Sequence, residues 1–362
     1  MRVADVARAM EAIAPARFAA AWDNVGLLVG DPAREVRRVL LAVDCTRAVL
    51  DEAVRTSCGA VVAYHPPIFD AQKRFVAGSI GYEAARAGVA LYSPHTALDV
   101  AAGGTNDVLA DAIGMTGRAP LRAVESADAE HKLVTFVPGT HVEALAAALG
   151  AAGAGTIGNY TSCSFRTAGT GTFFGEEGAR PVVGSAGRLE HVDEVRLEMV
   201  VPVGGVAAAV RALRAAHPYE EPAFDLVRLA AAPAGLGFGR VGDLAATTVG
   251  ALVEHIKTSL GVAHVLVAGG FDRPASRAAV CAGSGGDLVP DAIGAGAHVF
   301  VTGELRHHDA LRATAAGMGV VCVLHSASER AALPRLARLL TARLPELDVA
   351  LSVEDREPFS FA

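Results

Sequence analysis

Lysine is almost missing: Lys73, Lys132 and Lys257 are the only ones in 362 residues, and arginine carries the rest of the positive charge. The net charge is −7. That balance argues against a dedicated binder of nucleic acid or anionic membranes. The five cysteines (Cys45, Cys58, Cys163, Cys281, Cys322) form no C-x-x-C pair, so a thiolate zinc site is not indicated and buried free thiols in a reducing cytosol are expected. No run of about 18 strongly apolar residues occurs. The Ala/Gly stretch from Leu145 to Gly158 is too weakly hydrophobic to span a membrane. Met1 to Ala21 carries Asp5, Glu11 and several arginines where a signal peptide would have its apolar core. The expected location is the cytoplasm.

What is present is a 52% hydrophobic, 20% charged chain, long enough for two domains. Val3, Val6, Ala7, Met10 and Ile13 recur at helical spacing. Short β-branched runs then alternate with helical segments: Val39–Val43, Ala60–Ala63 and Val89–Tyr92 before residue 125, and Phe238–Leu244, Val265–Val267, Ala278–Cys281, His298–Val301 and Val320–Leu324 after 235. This alternation predicts an α/β fold, with a largely parallel sheet in the half before residue 125. Asp44 or Thr46 is expected to cap the helix from Arg47, and Ser326 or Ser328 the helix after Leu324. Between them, Leu133–Val137, Val142–Leu149, Val195–Val201, Val206–Ala215 and Phe224–Leu229 give a β-α-β, β-α-β order, which predicts a ferredoxin-like α+β domain over residues 126–234, inserted into a core of two α/β lobes made from 1–125 and 235–362.

In open α/β sheets, functional groups collect beyond the C-terminal strand ends. His65 and Asp99 fall there, as do Glu304 with His308, and His325. His325 and Glu329 are four residues apart on one helix start, so their side chains can converge. Imidazoles and carboxylates without thiolate suit Zn, Mn, Fe or Co. Each residue also has a plainer reading: His65 before Pro66-Pro67 as a buried turn histidine, Asp99 as a cap, His95 and His308 as partners behind the ligands, His307 as solvated. Gly283-Ser284-Gly285-Gly286-Asp287 reads either as an anion cradle or as a tight turn, and His217-Pro218-Tyr219-Glu220-Glu221-Pro222 as a rigid turn.

Taken together, Trp22-Asp23-Asn24-Val25-Gly26-Leu27, Tyr64-His65-Pro66-Pro67-Ile68-Phe69, Ser93-Pro94-His95-Thr96-Ala97-Leu98-Asp99, Gly103-Gly104-Thr105-Asn106-Asp107, Thr302-Gly303-Glu304 and His325-Ser326-Ala327-Ser328-Glu329 resemble, in order and over nearly the whole chain, the Nif-three-like proteins, also called homologues of GTP cyclohydrolase 1 type 2. The insert resembles the family's PII/CutA-like middle domain through Gly158-Asn159-Tyr160, Cys163-Ser164-Phe165 and His217–Pro222. The resemblance implies a toroidal homohexamer with two divalent ions per subunit, bound by His65, Asp99, His325 and Glu329, with Glu329 shared. Many members have two consecutive histidines where this chain has Tyr64-His65, which leaves Tyr64 and His95 as residues behind the ligands. Two functions are in view. One is a metal-dependent hydrolase of small molecules, nucleotides among them, with Glu304 or His308 as general base or orienter. The other is a non-catalytic metal-binding ring, a metallochaperone or regulatory scaffold.

Overall fold

The computed structural model describes residues 1–124, 130–229 and 235–361. The chain divides into two compact units, one from 1–124 with 235–362 and one from 125–234. In order, the first unit begins with α1 (Val3–Ile13), β1 (Gly26–Val29), β2 (Arg38–Ala42), α2 (Arg47–Arg55), β3 (Ala60–Ala63), α3 (Ile80–Ala87), β4 (Ala90–Ser93), α4 (His95–Val100), α5 (Thr105–Ala112) and β5 (Thr116–Ala123). The second unit contains β6 (Glu130–Pro138), α6 (Val142–Ala151), β7 (Phe165–Phe174), β8 (Leu189–Pro202), α7 (Val206–Ala216) and β9 (Phe224–Arg228). The first unit then resumes with β10 (Gly237–Thr248), α8 (Val249–Leu260), β11 (Leu266–Ala268), β12 (Pro274–Ser284), α9 (Val289–Gly294), β13 (Val299–Glu304), α10 (His307–Ala315), β14 (Gly319–Cys322), α11 (His325–Arg330), α12 (Leu333–Arg343) and β15 (Asp348–Leu351).

The first unit holds two sheets, ordered β1-β4-β3-β2-β15 and β11-β14-β13-β12-β10-β5. Strands buried on both faces read as unbroken apolar runs. In β2, Val39 and Leu41 pack against α1 and α12 through Val6, Met10, Leu336 and Leu340, while Leu40 turns to Leu50 and Ala53 of α2. In the second sheet, Val280, Val301 and Val321 face Leu252 and Ile256 of α8, and Phe300 faces Ala292 and Ala313. The largely parallel sheet expected of the half before residue 125 is found in β4-β3-β2-β15, with β1 antiparallel to β4. In the second sheet β12, β13 and β14 run parallel, whereas β11 pairs antiparallel with β14, and β10, inside the sheet, pairs antiparallel with both β12 and β5. The order of strands and helices does not reveal the direction of an edge strand.

The second unit is an antiparallel sheet ordered β7-β8-β6-β9. Leu133, Leu197 and Met199 on one face pack against Leu145, Leu149 and Leu213 of α6 and α7. This is the βαββαβ arrangement. His217 makes a turn: its Nδ1 accepts from the Tyr219 amide at 3.1 Å, so its Nε2 is the protonated nitrogen that donates to the Phe136 carbonyl at 3.0 Å. Beside that turn a cavity of about 650 Å³ is lined by Phe136, Phe173, Arg196 and Tyr219.

Candidate metal centre

His65 lies two residues past β3, where its amide still bonds to the Val43 carbonyl at 2.9 Å and the following prolines end the strand. His325 opens α11 three residues past β14. Its predecessor Leu324 has φ +74° and ψ +147°, a positive-φ extended conformation that is almost exclusive to glycine and costs about 1–3 kcal/mol. That bend turns the chain from strand to helix within three residues. The two imidazoles stand 5.4 Å apart, centroid to centroid.

Glu329, one turn along α11, lies between them and is 2% exposed. Its Oε1 is 3.0 Å from His325 Nε2 and its Oε2 is 3.3 Å from His65 Nε2. Ligand-capable atoms of His65, His325 and Glu329 all lie within 4.8 Å of one another. The far nitrogen of each imidazole is already engaged: His65 Nδ1 with Asp44 at 2.9 Å and His325 Nδ1 with Glu304 at 3.2 Å. A carboxylate behind the Nδ1–H fixes the tautomer that presents Nε2 as a donor atom to a metal.

In the metal-free chain the charges neutralise one another. Burial disfavours the charged His65, but the hydrogen bond to Asp44 and the negative charge of nearby Glu329 outweigh it and raise the imidazole to about 10. The hydrogen bond to Glu329, against burial and with help from Glu304, raises His325 to about 9. Glu329 is lowered: burial opposes its charge, and both imidazoles more than compensate. One feature stays unbalanced. Glu329 Oε2 is buried and, although close to His65, has no aligned hydrogen bond. An under-coordinated buried carboxylate oxygen between two imidazoles suits a divalent cation.

Asp99 stands outside this cluster. It is on α4, and Tyr64 donates a hydrogen bond to its Oδ1. Burial pushes its carboxyl up to about 7, with the Glu329 charge adding and the Tyr64 bond opposing. Tyr64 is itself buried and held well above its ordinary value, by burial and then by Asp99. Asn106 donates to the Asp99 carbonyl at 3.0 Å and accepts from the Ala282 amide at 2.9 Å, which ties this helix to the end of β12.

The chain matches the family model described as Duf34/NIF3 (NGG1p interacting factor 3) over residues 1–358. The chain belongs to the Duf34/NIF3 family. A Mycobacterium leprae relative called a GTP cyclohydrolase 1 type 2 homolog is 40% identical over 339 residues, 91% of this chain and 87% of its own length. A Bacillus subtilis relative of the same name is 36% identical over 360 residues, covering 97% and 96%. The solved structure of a Bacillus cereus protein related to NIF3 is 34% identical with TM-score 0.70, covering 100% of this chain and 99% of that one. A Staphylococcus aureus structure reaches TM-score 0.81 at 29% identity with the same coverage. No helix among the described residues of this NIF3-family chain is long and apolar enough to cross a membrane.

His308 is exposed, edge-on to His307. Glu304 is engaged with His325. His95 bonds through Nδ1 to Asp23 at 2.8 Å. The serine cap expected after Leu324 is corrected: Ser326 and Ser328 lie inside α11, Ser326 donating to Glu357 and Ser328 bridging the Gly283 amide and the His325 carbonyl. Thr46 caps α2, which leaves Asp44 for His65. Sequence reasoning missed Asp44, Asp23 and Gly283 as site residues. Asp44 follows β2, so the strand-end rule could have found it.

The Gly283 amide is taken by Ser328 Oγ at 2.8 Å. Gly283 has φ +65°, and a Cβ there would stand 2.7 Å from Glu329 Oε1 and 3.4 Å from His325 Nε2. Gly283→Ala is therefore expected to weaken zinc binding at least tenfold by displacing Glu329, and to lower stability by about 1–2 kcal/mol for the left-handed residue. Calorimetric zinc titration beside thermal unfolding checks both, and unchanged zinc affinity would contradict the close approach.

Proposed function

We propose that this chain is a metal-dependent hydrolase of the cyclohydrolase or phosphoester type, built on a divalent-cation centre held by His65, His325 and Glu329. Asp99, beside Glu329 and held by Tyr64, is the ligand available to a second ion. The observation that carries the reading is the buried, unsatisfied Glu329 Oε2 between two imidazoles whose Nδ1 atoms are both engaged by carboxylates. A divalent ion in such a site supplies Lewis acidity and an activated water. The chain's own part is orientation. Asp44 and Glu304 hold the two rings, Glu329 offers an oxygen to each side, and Asp355 secures the frame. That carboxylate accepts from the Val43 amide at 2.8 Å and from Arg330 at 3.0 Å, and so joins the loop bearing Asp44 to the helix bearing Glu329. With Glu304 occupied by His325, orienting is the role assigned to it. We read the insert as a PII/CutA-like unit on its βαββαβ strand order.

The name shared by the relatives makes GTP the first compound to try. Protein stripped with chelator and reloaded with Zn, Mn, Fe or Co should hydrolyse GTP or a simple phosphoester. The stripped protein and Glu329→Ala should not. Tight metal binding with no turnover on any of these would replace the hydrolase reading with a non-catalytic metal-binding assembly.

A further inference from the structure

Trp22, the chain's single tryptophan, is 64% exposed, an unusual place for so large an apolar surface. Its ring meets Phe69, half exposed, at 6.0 Å between centroids and His95, edge-on, at 6.0 Å. His95 in turn stands 5.4 Å from His65. The aromatic pair thus borders the metal cluster.

Three consecutive residues build this border. Trp22 presents its ring. Asp23, its side chain fully buried, holds His95: Oδ1 faces His95 Nδ1 at 2.8 Å, and Oδ2 accepts from the Thr96 amide at 3.1 Å and from the Thr96 hydroxyl. Burial opposes the Asp23 charge, but the His95 and Thr96 bonds outweigh it and hold the carboxyl below its ordinary value. An ionised carboxylate only accepts, so Nδ1 donates and Nε2 is the ring nitrogen left to meet a ligand. Asn24 then donates to the Ile68 carbonyl at 2.6 Å and ties the loop bearing Phe69 to Trp22. His95 itself has φ +29°, an uncommon conformation for a non-glycine residue, held by these contacts.

We propose that Trp22, Phe69 and His95 form a subsite for a planar nitrogen heterocycle of the nucleobase class, stacked on the indole with its polar edge hydrogen-bonded to His95 Nε2. The indole supplies a stacking face and the imidazole a directed polar atom. Ribose and inorganic phosphate have no aromatic face to stack on the indole. The proposal names a substrate class for the centre described above and rests on that reading for its catalytic meaning. The binding itself does not require the metal.

The test uses the full chain stripped of metal. Guanosine and adenosine are the probes, with ribose and inorganic phosphate as ring-free comparisons. Tryptophan emission reports on Trp22 alone, and equilibrium dialysis gives the affinity. A nucleoside should quench the emission saturably, and ribose and phosphate should not. Trp22→Ala and Phe69→Ala should each weaken nucleoside binding, Trp22→Ala by roughly tenfold or more, the usual worth of one stacking side chain. His95→Gln, which keeps a polar tip, should weaken it less than His95→Ala. Glu329→Ala should lose metal and still bind the nucleoside, which separates failure of this subsite from failure of the metal reading. Binding unaffected by Trp22→Ala and Phe69→Ala would overturn the proposal. So would a fall in oligomeric mass in Trp22→Ala with no nucleoside binding by the wild type, which would make the patch a contact between copies.

Discussion

Glu329→Ala should leave the purified protein essentially free of divalent metal, while His325→Ala should weaken metal binding and retain part of it. Glu329 offers one oxygen to each imidazole, at 3.0 and 3.3 Å, and its side chain is 3% exposed. Removing it leaves two imidazoles facing each other with no charge between them. Partners behind a metal ligand are typically worth about 10–100-fold in metal affinity, so loss of the shared ligand itself should cost about a hundredfold or more. His325, 36% exposed at its side chain, serves one side only, and water can take its place. Elemental analysis of both variants after dialysis checks the order. Full metal content in Glu329→Ala would rule out a shared carboxylate.

The second large effect is on pH. A metal needs neutral imidazoles, yet in the metal-free chain His65 is raised to about 10 and His325 to about 9. Both rings therefore carry a proton at pH 7, and loading must expel it from each. Metal affinity should rise steeply with pH up to about 9–10 and level off above. The stability of the metal-free protein should move the other way. Both folded values exceed the ordinary 6.5, so the contribution is fully present below about 6.5 and is lost as pH rises through 9 and then 10. Zinc calorimetry at one pH in buffers of different ionisation enthalpy counts the protons released. A count near two at pH 7 is expected, and a count near zero would contradict the charged pairing around Glu329.

How far the sequence foretold this site depended on range. The closeness of His325 to Glu329 was legible from a local rule, their four-residue spacing on a helix start, and the position of His65 from a strand stopped by two prolines. Asp99 was legible as a strand-end residue, but its engagement by Tyr64 was not, because the two are 35 residues apart and meet only once β3 and β4 pair. Asp44 was read as one of two possible helix caps. Which of Asp44 and Thr46 caps α2 depends on where His65 lies, and that is a tertiary fact. The glycine-rich run at Gly283 left an anion cradle and a tight turn both open. Only the approach of Glu329 from α11 shows why a side chain is excluded there. Buried strands such as β2 and β3 announce themselves by composition, whereas β5 and β10, which pair antiparallel, carry no signal of direction.

The most direct measurement is the anomalous scattering of crystals soaked in zinc. The account predicts a peak between His65, His325 and Glu329 in the wild type, lost in Glu329→Ala crystals soaked alike. Zinc bound elsewhere, with these three side chains unoccupied, would contradict it.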